Sequence, residues 1–170
     1  MYKLVAIDMD GTLLRKDKTV SERTKKAIED ARKKGVTVVL ATGRPIDGVT
    51  KYLEELDMYG ENDYVLSYNG GLVLKTKNRE AICKIGLTGE DLHYLYEISK
   101  ELGVNIHAFS ETKGLITPKN SKYTEVEANI NNIKINIEDF NKLEKDHSII
   151  KIMMIDEEEA LQKAIDNLPK

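Results

Sequence analysis

The chain has 170 residues, of which 41% are apolar and 32% charged, and this suits one domain or a compact core with an inserted module. Its net charge of −3 argues against a nucleic acid or an anionic membrane as partner. The single cysteine, Cys83, excludes an internal disulfide, favours a cytoplasmic location and is expected to be buried. We expect neither a signal peptide nor a transmembrane segment, because no apolar stretch is long enough.

The first eighty residues alternate between apolar strands and amphipathic helices. The predicted strands are Lys3–Asp8, Val36–Ala41 and Tyr64–Ser67. Ser21 is the expected N-cap of the first helix, and Pro45 suits the first turn of the second. Because continuous apolar strands that alternate with helices form parallel sheets, we predict an α/β fold with a parallel sheet covered on both faces.

From Gly71 onward the pattern changes to that of a small α+β module. The predicted elements are a hairpin of Leu72–Lys75 and Ala81–Ile85, a helix over about Gly89–Leu102, strands at Val104–Phe109, Gly114–Thr117 and Ile149–Ile155, and a helix at Glu157–Asn167. The pattern is least regular over Ser121–Asn141, where we predict a strand at Ile133–Ile137 followed by a short helix.

The most informative segment is Ile7–Leu13, in which Asp8 and Asp10 stand where a buried-type strand ends in a Gly-Thr turn. Residues two apart in a strand share one face, so leaving the strand at Gly11 can bring both carboxylates to one site. One can attack as a nucleophile, the other can transfer a proton, and both can bind a hard cation such as Mg²⁺. A solvated Asp-x-Asp-Gly turn is the alternative, and the flanking residues disfavour it.

A second polar segment follows the second predicted strand, where Thr42, Gly43 and Arg44 precede a helix. A hydroxyl and the amides of a helix N-terminus favour a phosphate, with Arg44 adding charge or facing the rest of the substrate. The alternative is that Thr42 only caps the helix and Arg44 is solvated. Asn69 and Gly70 follow the third strand, so we expect them at the same sheet edge, on the substrate side.

These segments resemble a known family. Asp8–Leu13 resembles motif I of the haloacid dehalogenase-like phosphatases, and Thr42–Pro45 resembles motif II of their Cof-type branch. Tyr68–Gly71 and Lys151–Asp156 are similar to the YidA group of bacterial sugar phosphatases. The resemblance implies that residues 1–82 are the N-terminal part of a Rossmann-like parallel-sheet core, and that residues 83–170 are part of an inserted α+β cap.

The resemblance also implies roles for the motif residues. Asp8 would be the nucleophile that forms an aspartyl-phosphate, and Asp10 would protonate the leaving alcohol and then activate water. The Asp8 carboxylate and the Asp10 backbone carbonyl would bind Mg²⁺. Thr42 would hold the phosphoryl oxygens together with the amides of Gly11 and Gly43. The implied substrates are small phosphorylated metabolites, with sugar phosphates as the expected class.

The chain departs from the family pattern in its second half. A later lysine, called motif III, and a Gly-Asp…Asn-Asp segment, called motif IV, are not recognisable. Asp156–Glu159 is the late acidic cluster, and we interpret it as a helix N-terminus and not as a metal site. By the family pattern the chain stops within the cap at Lys170, so the strand Lys3–Asp8 is expected to be an exposed edge that favours self-association.

Three other functions remain open from the sequence. A phosphomutase would use the same aspartyl-phosphate but return an isomerised product. A non-catalytic phosphate- or metal-binding remnant would keep the binding residues without turnover. A response-regulator receiver also uses a strand-end aspartate with Mg²⁺, but it lacks the Asp-x-Asp-Gly-Thr turn, and we rank it last.

Overall fold

The computed structural model describes residues 2–169, so Met1 and Lys170 lie outside the described residues. The chain divides into two compact units, 1–85 and 86–170, where the sequence analysis placed the boundary between residues 82 and 83. The boundary is later because the strand Ala81–Lys84 continues the first sheet. Cys83 lies in this strand and is exposed, so the expectation that it is buried was wrong. The strand Ala81–Lys84 is one of the two edge strands of the sheet and all four of its residues are exposed, so the thiol is not covered by the core.

Unit 1 is a five-stranded mixed sheet with two helices. Its elements are β1 (Leu4–Asp8), α1 (Glu22–Lys33), β2 (Thr37–Ala41), α2 (Asp47–Glu55), β3 (Tyr64–Ser67), a short 3₁₀ turn (Tyr68–Gly70), β4 (Leu72–Lys75) and β5 (Ala81–Lys84). The strand order is β1-β2-β3-β4-β5, with β1, β2 and β3 parallel and the β4–β5 hairpin antiparallel. The predicted parallel strands and hairpin are therefore confirmed.

The first amides of the two helices of unit 1 are satisfied in different ways. The Ser21 hydroxyl accepts the N–H of Thr24 at 3.1 Å, which confirms it as the N-cap of α1. The second helix begins at Asp47, with Ile46 as its N-cap. The carbonyls of Pro45 and Ile46 accept amides of its first turn, so Pro45 lies one residue before the cap.

β1 is the exposed edge strand that the sequence analysis predicted, so the expectation of a sheet covered on both faces does not hold at β1. Leu4 and Val5 are 57% and 39% exposed, whereas the core residues of β2, Val38 and Leu40, are almost fully buried. The physical reason is the position of β1 as the outermost strand, with a neighbour on one side only. The apolar core of unit 1 lies instead around β2, β3 and α2.

Unit 2 is a four-stranded sheet with three helices. Its elements are α3 (Gly89–Leu102), β6 (Asn105–Ser110), β7 (Gly114–Thr117), α4 (Lys122–Asn131), β8 (Ile135–Ile137), a 3₁₀ turn (Phe140–Lys142), β9 (Ile149–Ile155) and α5 (Glu158–Asp166). The strand order is β8-β7-β6-β9. A core of Leu92, Ile106, Ile116, Phe140 and Ile149 packs between α3 and the sheet.

Most elements of unit 2 were predicted, but α4 was missed. Its buried positions are Thr124, Ala128 and Asn131, which have helical spacing but are not apolar enough to give an amphipathic signal. The strand after it begins at Ile135 and not at Ile133, because the amide of Ile133 completes the helix end on the Ala128 carbonyl. Among the described residues, no helix combines the length and apolarity needed to cross a membrane.

Candidate active site

The carboxyl ends of the parallel strands bring the predicted site residues to one edge of unit 1. Asp8 is in register with Ala41, the last residue of β2, and Thr42 follows it. The main-chain amide of Asn69 donates to the Thr42 carbonyl at 3.0 Å, and the main-chain amide of Tyr68 donates to the Arg44 carbonyl at 3.0 Å. The loops after β2 and β3 are therefore joined beside the end of β1.

Asp8 is an exposed carboxylate at this edge. Its Oδ2 accepts the Thr12 hydroxyl at 3.0 Å, and its carbonyl accepts the Leu13 amide at 3.0 Å. Gly11 has a φ of +87°, a conformation that side chains disfavour, and this lets the chain turn back directly after the strand. The turn leaves the Asp8 carboxylate accessible to a ligand.

Asp10 is held by two cations. Its Oδ2 accepts Arg44 Nε at 2.7 Å, and its Oδ1 accepts both Arg44 Nη2 and Lys18 Nζ at 2.8 Å. The Arg44 hydrogen bond, aided by Lys18, holds the pKa of Asp10 well below its usual range, although partial burial opposes the shift. Asp10 is thus an ionised carboxylate in this arrangement.

Arg44 has a partner that the sequence analysis did not predict. Its side chain is 7% exposed and forms a bidentate pair with Asp10, and its Cζ lies 5.7 Å from the centre of the Tyr52 ring. It is therefore not solvated. Lys18 was missed altogether, because a lysine in the polar run Arg15–Thr19 has the composition of an ordinary solvated loop.

Thr42 and Gly43 form a compact turn next to Asn69. Thr42 is buried, and its hydroxyl accepts the Arg44 amide at 3.2 Å instead of capping α2. A Cβ on Gly43 would lie 3.0 Å from Asn69 Oδ1, so a side chain at this position would push the side-chain amide of Asn69 away. Asn69 and Gly70 have φ values of 59° and 89°, which fold the loop over this turn. Four residues, 43–46, separate Thr42 from the first residue of α2.

The oxygen donors at this edge suit a hard cation. Within residues 2–169 no group of three histidine, cysteine or carboxylate side chains is placed to hold a metal ion. Mg²⁺ does not require one, because it is commonly held by one or two carboxylates with water and substrate phosphate completing the shell. The accessible Asp8 carboxylate and the Asp10 main-chain carbonyl are donors of this kind.

Comparison with known proteins identifies the family. Residues 5–170 match the family model of haloacid dehalogenase-like hydrolases. The chain belongs to this family. It is 41% identical to "Putative phosphatase YxeH" of Bacillus subtilis (strain 168) over 172 residues, which cover 100% of this chain and 63% of that protein. The chain therefore spans less than two thirds of the length of this relative.

Two further similarities support the fold. The chain is 31% identical to the HMP-PP phosphatase of Yersinia pestis (strain Pestoides F) over 123 residues, which cover 71% of this chain and 42% of that protein. A haloacid dehalogenase-like hydrolase from Bacteroides thetaiotaomicron has a crystal structure that matches with a TM-score of 0.81 at 27% identity, covering 96% of this chain and 62% of that chain. The expected Cof-type family and its Rossmann-like α/β fold are confirmed.

Proposed function

We propose that this chain is, or is part of, a Mg²⁺-dependent phosphatase that hydrolyses small phosphorylated metabolites through an aspartyl-phosphate. The observation that carries the proposal is the pairing of two unlike carboxylates at one sheet edge. Asp8 is accessible and contacts only neutral donors among the hydrogen bonds described above, whereas Asp10 is bound by Arg44 and Lys18. The two carboxylates therefore differ in environment, and the resemblance to motif I assigns the nucleophile to Asp8 and proton transfer to Asp10.

In the first step an Asp8 carboxylate oxygen attacks the phosphorus, and the bond between phosphorus and the ester oxygen breaks. The leaving alkoxide takes a proton from the Asp10 carboxyl, which has taken that proton up from water before the step. In the second step Asp10 removes a proton from water as that water attacks the phosphorus, and the bond to Asp8 breaks to give inorganic phosphate. Thr42 and the amides of Gly11 and Gly43 would bind the phosphoryl oxygens.

The contacts of Lys18 and Arg44 with Asp10 fix the orientation of its carboxylate but disfavour its protonated form. A carboxylate that accepts three charge-assisted hydrogen bonds holds a proton weakly in both steps. The three hydrogen bonds occupy three of the four lone-pair sites of the carboxylate, so the fourth site, on Oδ2, can hold a proton while Lys18 and Arg44 stay bound.

Mg²⁺ bound at Asp8 and the Asp10 carbonyl would reduce the repulsion between the nucleophile and the phosphate dianion. The proposed substrates are small metabolite phosphates, with sugar phosphates as the expected class. The similarity to an HMP-PP phosphatase supports a small phosphorylated substrate in general terms. An alkoxide leaving group needs the proton that Asp10 can supply, and this favours phosphoesters over halides.

The test is Mg²⁺-dependent release of inorganic phosphate from p-nitrophenyl phosphate. We expect Asp8→Asn to lower turnover by on the order of a thousandfold, as removal of a nucleophile typically does. The matched control is Glu54→Gln, which makes the same kind of change at an exposed carboxylate of α2. Undiminished activity in Asp8→Asn would contradict the proposal. Phosphate binding by the unaltered chain without turnover would instead support the non-catalytic alternative.

A further inference from the structure

A strained backbone position lies beside Asp10. Lys18 has a φ of +62°, in the left-handed region that non-glycine residues seldom occupy. Such a conformation persists only where neighbouring groups hold it. Here the Lys18 amide donates to the Arg15 carbonyl at 3.0 Å, and the Lys18 carbonyl accepts the hydroxyl of Tyr52 at 3.1 Å.

Tyr52 connects this turn to the rest of the site. It is 1% exposed, lies in α2 and reaches a loop 34 residues earlier in the chain. Its ring also lies next to the guanidinium of Arg44, with Cζ 5.7 Å from the ring centre. One buried side chain therefore contacts both residues whose cations bind Asp10.

The contact between Lys18 and Asp10 is specific in geometry. Lys18 Nζ and Arg44 Nη2 share Oδ1 of Asp10, each at 2.8 Å, while Arg44 Nε occupies Oδ2. A lysine on a free loop would lose much side-chain entropy in making this contact, and exposed ion pairs of that kind contribute little. Because the left-handed turn already fixes the backbone at Lys18, the contact does not add the entropy cost of ordering that backbone.

We infer that Tyr52 and Lys18 are positioning residues for Asp10. The Tyr52 hydroxyl holds the left-handed turn at Lys18, the turn directs the ammonium to Oδ1, and the two cations together fix the orientation of the Asp10 carboxylate. This inference rests on the proposed function, in which Asp10 transfers the proton, and it adds two residues that the family resemblance did not imply.

The activity test separates positioning from binding. In hydrolysis of p-nitrophenyl phosphate, whose leaving group needs no proton, Lys18→Met should lower kcat about tenfold with KM changed less than about twofold, because the geometry of proton removal from the attacking water is disturbed. Lys18→Arg should recover kcat to within about threefold, since it restores a cation. Tyr52→Phe removes the hydroxyl but keeps the ring beside Arg44, and it should lower kcat with the same pattern.

A double-mutant cycle tests whether Tyr52 acts through Lys18. If it does, the double variant of Lys18→Met and Tyr52→Phe loses no more activity than Lys18→Met alone. The matched control is Lys51→Met, because the Lys51 ammonium lies 4.7 Å from the centre of the same ring but is not among the partners of Asp10. Additive losses, a loss confined to KM, or an equal loss in the Lys51 variant would overturn the inference.

A second readout does not depend on activity. The Nε–H of Arg44, which donates to Asp10 at 2.7 Å, can be followed by ¹⁵N NMR as its proton exchanges with water. Exchange should be slow in the unaltered chain and faster in Lys18→Met and Tyr52→Phe, but unchanged in Lys51→Met. If the unaltered chain hydrolyses nothing, the proposed function fails while this measurement still decides the inference. Equal exchange in all variants would overturn it.

Discussion

Unit 1 and unit 2 place their polar side chains in different ways. In unit 1 an ion-paired cluster lies at the ends of the parallel strands, where the side chain of Asp10 is still 42% exposed. In unit 2 the fully buried His107 contacts the buried hydroxyl of Thr124, and the buried hydroxyl of Ser110 contacts His147. Charges that remain near water can bind and react, whereas neutral hydrogen bonds in a core serve stability. Substitutions in the two units should therefore change different properties.

The largest expected effect on stability is in unit 2, at the start of α3. A Cβ on Gly89 would lie 2.0 Å from the Glu144 carbonyl oxygen, a contact with backbone that cannot rotate away. We expect Gly89→Ala to lower the free energy of unfolding by about 3 kcal/mol because the helix must shift. Amide hydrogen exchange in β6 measures the free energy of unfolding of unit 2. The control is Glu90→Ala, a change at the neighbouring exposed residue. Unchanged protection would show that the helix start adjusts without cost.

The next effect is the pH dependence of the stability of unit 2. Burial, aided by Lys151, lowers the pKa of His107 to about 4 from 6.5. Below pH 6.5 the unfolded chain takes up a proton that the folded chain refuses until about pH 4, so stability falls as pH falls through this window. The total loss is about 3 kcal/mol.

Hydrogen exchange of β6 amides between pH 4 and pH 7, corrected for the intrinsic rates, measures this loss. His107→Leu removes the titrating group, so the slope should disappear even if the variant is less stable at every pH. A slope that survives in His107→Leu would assign the pH dependence to other groups and contradict this account of unit 2.

A smaller effect is expected from Arg44→Lys in unit 1. The change keeps the positive charge but loses the bidentate geometry on Asp10. We expect kcat to fall by roughly thirtyfold, or about 2 kcal/mol, with unfolding of unit 2 unaffected. Steady-state kinetics and hydrogen exchange on the same sample check both parts. A shift in the stability of β6 would break the contrast between the units.

The smallest expected effect is self-association through β1, one of the two edge strands of unit 1. We expect weak self-association through β1, because an exposed apolar edge strand offers unpaired backbone groups to another chain. Light scattering after size-exclusion chromatography should show a mass that rises with concentration and returns to that of a monomer in Leu4→Lys. The matched control is Ile165→Lys, an equally exposed apolar residue on α5. A monomer at all concentrations would contradict this expectation.

Sequence reasoning succeeded where the signal is local. Asp8 and Asp10 were singled out because a strand followed by a Gly-Thr turn is visible in seven residues. The strands and most helices were found because apolar periodicity reports which side of an element is buried. Prediction from the sequence failed for α4, because the inner face of this helix carries Thr124 and Asn131. It also failed for Cys83, because the strand of Cys83 lies at a sheet edge.

The sequence by itself determined the family, the parallel strands and the candidate carboxylates, since each depends on residues close together in the chain. Only the tertiary structure showed that Arg44 binds Asp10, that Lys18 shares the same carboxylate, and that Tyr52 contacts the carbonyl of Lys18. These contacts join segments up to 34 residues apart. Side-chain pairing over such separations depends on how strands and helices pack, and no local pattern encodes it.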